Sequence, residues 1–122
     1  MKRDIYQKLI SWKNEKESKP LILLGARQTG KTYILKEFAK NEYQNLIYCN
    51  FEEDPKLKEF FKPDLRPQRI LEQLSLYKKI NISPGKDLIF LDEIQLSNSA
   101  LNSLKYFNEE KPEYRIVAAG SL

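Results

Sequence analysis

The chain has 122 residues, with 21 basic and 17 acidic side chains, no histidine, one cysteine and four glycines. Without histidine, Ser-His-Asp and Cys-His catalysis and the mixed Cys/His zinc sites are excluded, and a lone cysteine closes no internal disulfide, as in a reducing compartment. The +4 net charge is interleaved with acids such as Glu15, Glu17 and Glu59, so it reads as a mixed-sign solvated surface; DNA binding has that charge alone behind it.

In chain order, Ile5, Leu9 and Trp12, flanked by Tyr6 and Ile10, predict a helix within residues 1–18. Pro20 introduces Leu21-Ile-Leu-Leu24, a short run that reads as a strand buried on both faces. Ile34, Leu35, Phe38 and Ala39 predict a helix over Thr32–Lys40, and Asn45–Phe51 a second strand in which Cys49 reads as a small core residue. The stretch from Glu52 to Arg66 is broken by Pro55 and Pro63 and reads as loop, with a turn of helix near Leu57–Phe61. Pro67 suits a first helical turn, and the stripe Ile70, Leu71, Leu74, Tyr77 and Ile80 runs to a stop ending in Gly85. Asp87–Leu91 is a third strand, Asn98 or Ser99 is expected to cap a helix bearing Leu101, Leu104 and Phe107, and Arg115–Ala119 is a fourth strand. This alternation predicts an α/β, three-layer fold with a mainly parallel sheet covered on both faces. The fourth strand lies so near the last residue that the chain reads as truncated after it, a partial domain with its nucleotide-binding core in residues 19–122. The aliphatic runs are far too short to span a bilayer and the N-terminus has no secretory apolar region, so no membrane is involved and the expected location is cytoplasmic.

Between the first strand and its helix lies Gly25-Ala26-Arg27-Gln28-Thr29-Gly30-Lys31-Thr32, a GxxxxGK[ST] loop in the strand-loop-helix setting that motif requires. Gly25 and Gly30 let the backbone approach a polyphosphate with successive N–H groups turned inward, and the helix N-terminus adds to the field. Lys31 reaches the terminal phosphates and the Thr32 hydroxyl is placed to ligate Mg²⁺. The third strand ends in Asp92-Glu93, at the edge of a parallel sheet where ligands bind. Asp92 is the expected Mg²⁺ partner, and Glu93 is suited to orient or deprotonate an attacking water. Gly120-Ser121 ends the fourth strand at the same edge, where the Ser121 hydroxyl could sense a γ-phosphate or sit there as an ordinary serine. Gln95 is also near this crevice, with its contacts open.

With GARQTGKT, LIFLDEIQ and AAGSL in this order, the chain resembles the N-terminal ATPase domain of AAA-type P-loop proteins of bacteria and archaea, in which a C-terminal domain of unknown function follows. The resemblance implies ATP and Mg²⁺ as ligands, Lys31 and Thr32 as the Walker A pair, Asp92 and Glu93 as the Walker B pair, and Ser121 at the sensor position. It also implies a fourth strand lying between the first and third, a lid further on, and an arginine finger for which a second copy of the chain is one source. The preference for adenine rests on this likeness. Tyr6 or Trp12 could pack near the base, although both fit the core.

Three functions follow from these residues. The leading one is Mg-dependent ATP hydrolysis that drives an attached C-terminal domain. A nucleotide-gated protein- or DNA-binding switch with little turnover is the second, and a small-molecule kinase the third, disfavoured because adjacent Asp-Glu suits water as acceptor. No Asn-Lys-x-Asp segment for reading guanine occurs in the chain.

Overall fold

Four strands run parallel, because each of the first three is followed by a helix that must return across the sheet before the next strand can start. The computed structural model describes residues 2–15, 19–25 and 30–121. The elements are α1 (Lys2–Lys13), β1 (Leu21–Gly25), α2 (Lys31–Glu42), β2 (Asn45–Asn50), α3 (Pro67–Lys78), β3 (Asp87–Asp92), α4 (Asn98–Glu110) and β4 (Arg115–Ser121), with 3-10 turns at Pro55–Phe61 and Ile94–Leu96. The sheet order is β1-β4-β3-β2, so β4 lies between β1 and β3 as the resemblance implies.

Period-two alternation divides the strand side chains between two cores. On one face Leu88, Phe90, Val117 and Ala119 pack with Leu9 and Trp12 of α1 and with Ile34, Leu35 and Phe38 of α2. On the other, Ile47, Cys49, Ile89, Leu91, Ile116 and Ala118 meet Ile70, Leu71 and Leu74 of α3 and Leu104 and Phe107 of α4. Each fully buried Leu, Ile or Phe contributes about 1.5–3 kcal/mol relative to exposure. Among the described residues, no helix is long and apolar enough to cross a membrane.

Several expectations are corrected. β1 is not buried on both faces: Leu21 and Leu23 pack inward, while Ile22 and Leu24 are exposed because α3 and α4 cover the other strands and do not reach them. In the segment after β2, the expected turn of helix is present as the 3-10 turn Pro55–Phe61, and the segment packs into the core. Phe51, Leu57 and Phe61 are buried there, and Arg69 ties its far end by donating to Asp64 Oδ1 at 2.8 Å and to the Phe60 carbonyl at 2.7 Å. The cap of α4 is Ser97, one residue earlier than predicted; its hydroxyl accepts from the Ala100 N–H at 3.1 Å. α3 stops at Lys78, with Lys79 in the left-handed region, so Ile80 of the predicted stripe lies past the helix; Tyr77, at its last turn, packs its ring on Phe60 while its hydroxyl donates to Asp54. β4 runs through Gly120 and Ser121, which are strand residues rather than its sequel.

The buried Asp87 sets the register at the start of β2 and β3. Its carboxylate accepts from the Ser83 N–H at 2.8 Å and from Asn45 Nδ2 at 3.1 Å. This fixes the opposite ends of these strands, where the candidate site lies.

Candidate functional site

The carboxyl ends of β1 and β4 finish level, with Gly25 opposite Ser121, and β3 ends two residues short of them, with Asp92 opposite Ala119. Gly30 then opens α2 at φ 79°, left-handed backbone in which a side chain would be strained. That geometry turns the chain so that Lys31 and Thr32, the first residues of α2, face the sheet edge. Gly25 differs, since a side-chain carbon there would sit 3.8 Å from Lys31 Nζ, so the described atoms do not by themselves demand glycine. The remaining loop residues singled out above, Ala26, Arg27, Gln28 and Thr29, lie outside the described residues.

Two contacts join α2 to the far part of the sequence. Lys31 Nζ donates to the Gly120 carbonyl at 2.6 Å, and Thr32 Oγ1 donates to Asp92 Oδ2 at 2.9 Å. Asp92 is 5% exposed and has further donors. The Tyr48 hydroxyl reaches the same Oδ2 at 2.8 Å, and the Glu93 N–H reaches Oδ1 at 2.9 Å. Asn50 Nδ2 in turn donates to Tyr48 at 3.0 Å. Burial pushes the Tyr48 phenol well above its ordinary range, and the adjacent Asp92 adds to this while Asn50 opposes it. Tyr48 therefore remains a proton donor to Asp92 at any ordinary pH.

Glu93 follows the strand at φ 55°, one of two non-glycine residues with positive φ among those described. The left-handed residue breaks the strand and starts the 3-10 turn Ile94–Leu96, which carries Gln95 back over the end of β4. Gln95 Nε2 donates to Glu93 Oε1 at 2.8 Å and its Oε1 accepts from the Ser121 N–H at 3.2 Å. The amide can face one way only, because a carboxylate accepts and a backbone N–H donates. Gly120 makes room for it: a side-chain carbon at 120 would lie 2.5 Å from Gln95 Oε1.

Sequence reading thus located Lys31, Thr32, Asp92 and Glu93 at one edge, and the structure gathers all four. Ser121 joins through its N–H. Gln95, placed near the crevice with its contacts open, bridges Glu93 and Ser121; Tyr48 and Asn50 were missed as partners, polar residues at the end of β2 beside Asp92 being the available signal. Tyr6 and Trp12 pack with α2 in the core, where Trp12 Nε1 donates to the Lys19 carbonyl at 2.6 Å. Cys49 is buried in the α3/α4 core, with its thiol pushed up to about 12 by burial.

The donor set suits Mg²⁺. A hydroxyl and a carboxylate oxygen, both hard ligands, stand 2.9 Å apart. Among the described residues, no three His, Cys, Asp or Glu gather into a metal cage. Mg²⁺ is commonly bound through one or two protein oxygens completed by phosphate and water, which this pair can supply.

A family model described as AAA domain matches residues 17–122. Among solved structures, the chain is similar in fold to one described as the structure of C. elegans PCH-2, with a TM-score of 0.56 and 16% identity, over 99% of this chain and 36% of that one. This chain thus spans well under half the length of that structure. A comparison with curated proteins finds no match.

Proposed function

The chain belongs to the AAA domain family, and on that premise we propose that it binds Mg-ATP at the carboxyl edge of β1, β4 and β3 and hydrolyses it. The observation that carries this reading is the pair of contacts Lys31 to Gly120 and Thr32 to Asp92, at 2.6 and 2.9 Å. They set the adjacent cation and hydroxyl at the N-terminus of α2 against the end of β4 and a carboxylate sixty residues on, an arrangement suited to Mg²⁺ and a polyphosphate.

In this reading Lys31 exchanges the Gly120 carbonyl for phosphate oxygens, while the first N–H groups of α2 face the polyphosphate. Thr32 and Asp92 hold Mg²⁺, and Tyr48 keeps the Asp92 carboxylate oriented. Mg²⁺ supplies neutralisation of charge on the phosphate oxygens. Glu93 accepts a proton from the attacking water, and the β4 end with Ser121 lies beside the terminal phosphate. The same reading extends to a longer protein in which this cycle drives a C-terminal domain, with an arginine supplied from outside the present residues.

The test is a pair of variants in the full-length protein. Lys31→Ala should raise the Mg-ATP dissociation constant at least tenfold by calorimetry, since a charged contact is worth about 1.5–3 kcal/mol; a value within twofold of wild type refutes the phosphate site. Glu93→Gln should bind Mg-ATP normally and lose turnover, whereas equal inactivity of wild type and variant, with ligand still altering partner binding, identifies a switch.

A further inference from the structure

Lys31 and Gln95 hold opposite sides of one peptide group. The Gly120 carbonyl accepts from Lys31 Nζ at 2.6 Å; the N–H of that same peptide, on Ser121, donates to Gln95 Oε1 at 3.2 Å; and Gln95 Nε2 donates to Glu93 Oε1 at 2.8 Å. A continuous series of hydrogen bonds therefore runs from the ammonium of α2, through one peptide of β4 and one side-chain amide, to the carboxylate after β3. Every member is oriented in the same sense, donor to acceptor, from cation to anion.

We propose that Gln95 is a positioning residue that makes Glu93 responsive to where Lys31 sits, a role that rests on the reading of this edge as a phosphate site. The physical basis is polarisation. An ammonium on the Gly120 carbonyl draws electrons toward that oxygen and makes the Ser121 N–H a stronger donor. The Gln95 carbonyl, accepting more strongly, makes its own NH₂ a stronger donor to Glu93. With Lys31 on β4, Glu93 is held against Gln95. When Lys31 moves onto an anionic phosphate, the series loses its charged head, each remaining bond weakens, and the Glu93 carboxylate is released toward water.

Two features of the site favour this arrangement over a chance contact. Glycine at 120 leaves the space that the Gln95 amide occupies, since a side-chain carbon there would lie 2.5 Å from Gln95 Oε1. Glu93 also takes a left-handed backbone, φ 55°, that starts the turn and brings its carboxylate and the Gln95 amide together over the end of β4. The Gln95 amide thus fills both of its hydrogen-bonding roles with partners from two different strand ends.

The experiment uses full-length protein labelled with ¹⁵N-glutamine and ¹⁵N-serine, with the Gln95 NH₂ signals identified by their loss in Gln95→Leu. Without nucleotide, Lys31→Met should move both the Ser121 amide proton and the Gln95 NH₂ protons upfield, as weaker donors, and Lys31→Arg should leave them near wild type by restoring a cationic donor. Adding a non-hydrolysable Mg-ATP analogue to wild type should move them in the direction of Lys31→Met. If Lys31→Met moves Ser121 alone, or neither signal, the coupling is overturned, whatever the protein does with ATP. If the analogue binds by calorimetry and the Gln95 protons stay put, the coupling again fails while the phosphate site stands. If the analogue does not bind, the phosphate site fails, and the nucleotide-free comparison still decides the coupling.

Discussion

Gly120→Ala separates the role of the Gln95 amide from the stability of the sheet. The new side-chain carbon would sit 2.5 Å from Gln95 Oε1 and 3.3 Å from Leu24 Cδ2. Relief to ordinary contact requires the amide oxygen to retreat by about 0.9 Å, which lengthens its 3.2 Å bond from the Ser121 N–H to roughly 4 Å, outside hydrogen-bonding range. Leu24 need yield only a few tenths of an ångström, and its side chain is exposed. Gly120 does not have positive φ, so alanine fits its backbone. Loss of two modest hydrogen bonds costs about 1–2 kcal/mol, partly offset by about 0.4–1 kcal/mol from the stiffer unfolded chain. The net destabilisation should be about 1 kcal/mol, a shift in melting temperature of roughly 4 °C, while the Gln95 NH₂ resonances move fully away from their wild-type positions. Calorimetric melting and the labelled spectra measure the two together. Unmoved Gln95 resonances, or a loss above about 3 kcal/mol, would show that backbone rather than a flexible side-chain tip absorbs the clash, and the assignment of Gly120 as a seat for Gln95 would be wrong.

Two further outcomes follow from the same geometry. Tyr48→Phe removes a 2.8 Å hydrogen bond to the buried Asp92; it should cost about 1–2 kcal/mol in urea unfolding and raise the Mg²⁺ needed for half-maximal nucleotide binding by about tenfold, and wild-type values of both would remove Tyr48 from the site. Burial pushes the Cys49 thiol up to about 12, against 9.0 for an ordinary thiol, so its contribution to folding stability is fully present below pH 9 and falls by about 1.4 kcal/mol per pH unit from there toward 12. Urea midpoints at pH 8 and 10.5 should therefore drop less in Cys49→Ala than in wild type, and parallel losses would disprove the burial argument.

The layered fold was legible because the strands write short apolar runs, of which β3 and β4 are buried on both faces, and the helices between them write a stripe at helical spacing. The GxxxxGK[ST] segment and Asp92-Glu93 stood out in the sequence because such motifs are defined by residue type at fixed local spacing. Tyr48 was not, since a tyrosine in Asn45–Asn50 suits a strand as well as a site, and its role exists only once β2 pairs with β3 and sets Tyr48 opposite Phe90, two residues before Asp92. Leu57 and Phe61, four residues apart, marked the helical turn that the structure has as the 3-10 turn Pro55–Phe61; Phe51, expected in the second strand, lies just past its end at Asn50, and its burial there depends on packing against Phe61 rather than on any period in the sequence. Ser97 was misjudged by one residue because Ser97, Asn98 and Ser99 are all competent caps and only the turn Ile94–Leu96 decides which one precedes the helix.

That short turn also explains why a strained residue persists at the site. A non-glycine side chain in the left-handed region costs about 1–2 kcal/mol, and Glu93 bears that cost at φ 55°. An extended Glu93 would continue β3, send its side chain along the sheet alternation, and leave Gln95 well beyond β4. The reversal instead lets Asp92 Oδ1 receive the Glu93 N–H at 2.9 Å, while Leu96 N–H donates to the Glu93 carbonyl at 3.1 Å. These two bonds offset part of the strain and lock the backbone on both sides of the carboxylate. Asp92 then stays on Thr32 while Glu93 turns toward β4, so adjacent acids face different partners. In an extended strand, alternation would already send the two carboxylates to opposite faces; the left-handed Glu93 instead swings its carboxylate over the end of β4 onto Gln95, which under the proposed function leaves Asp92 for Mg²⁺ and Glu93 for water.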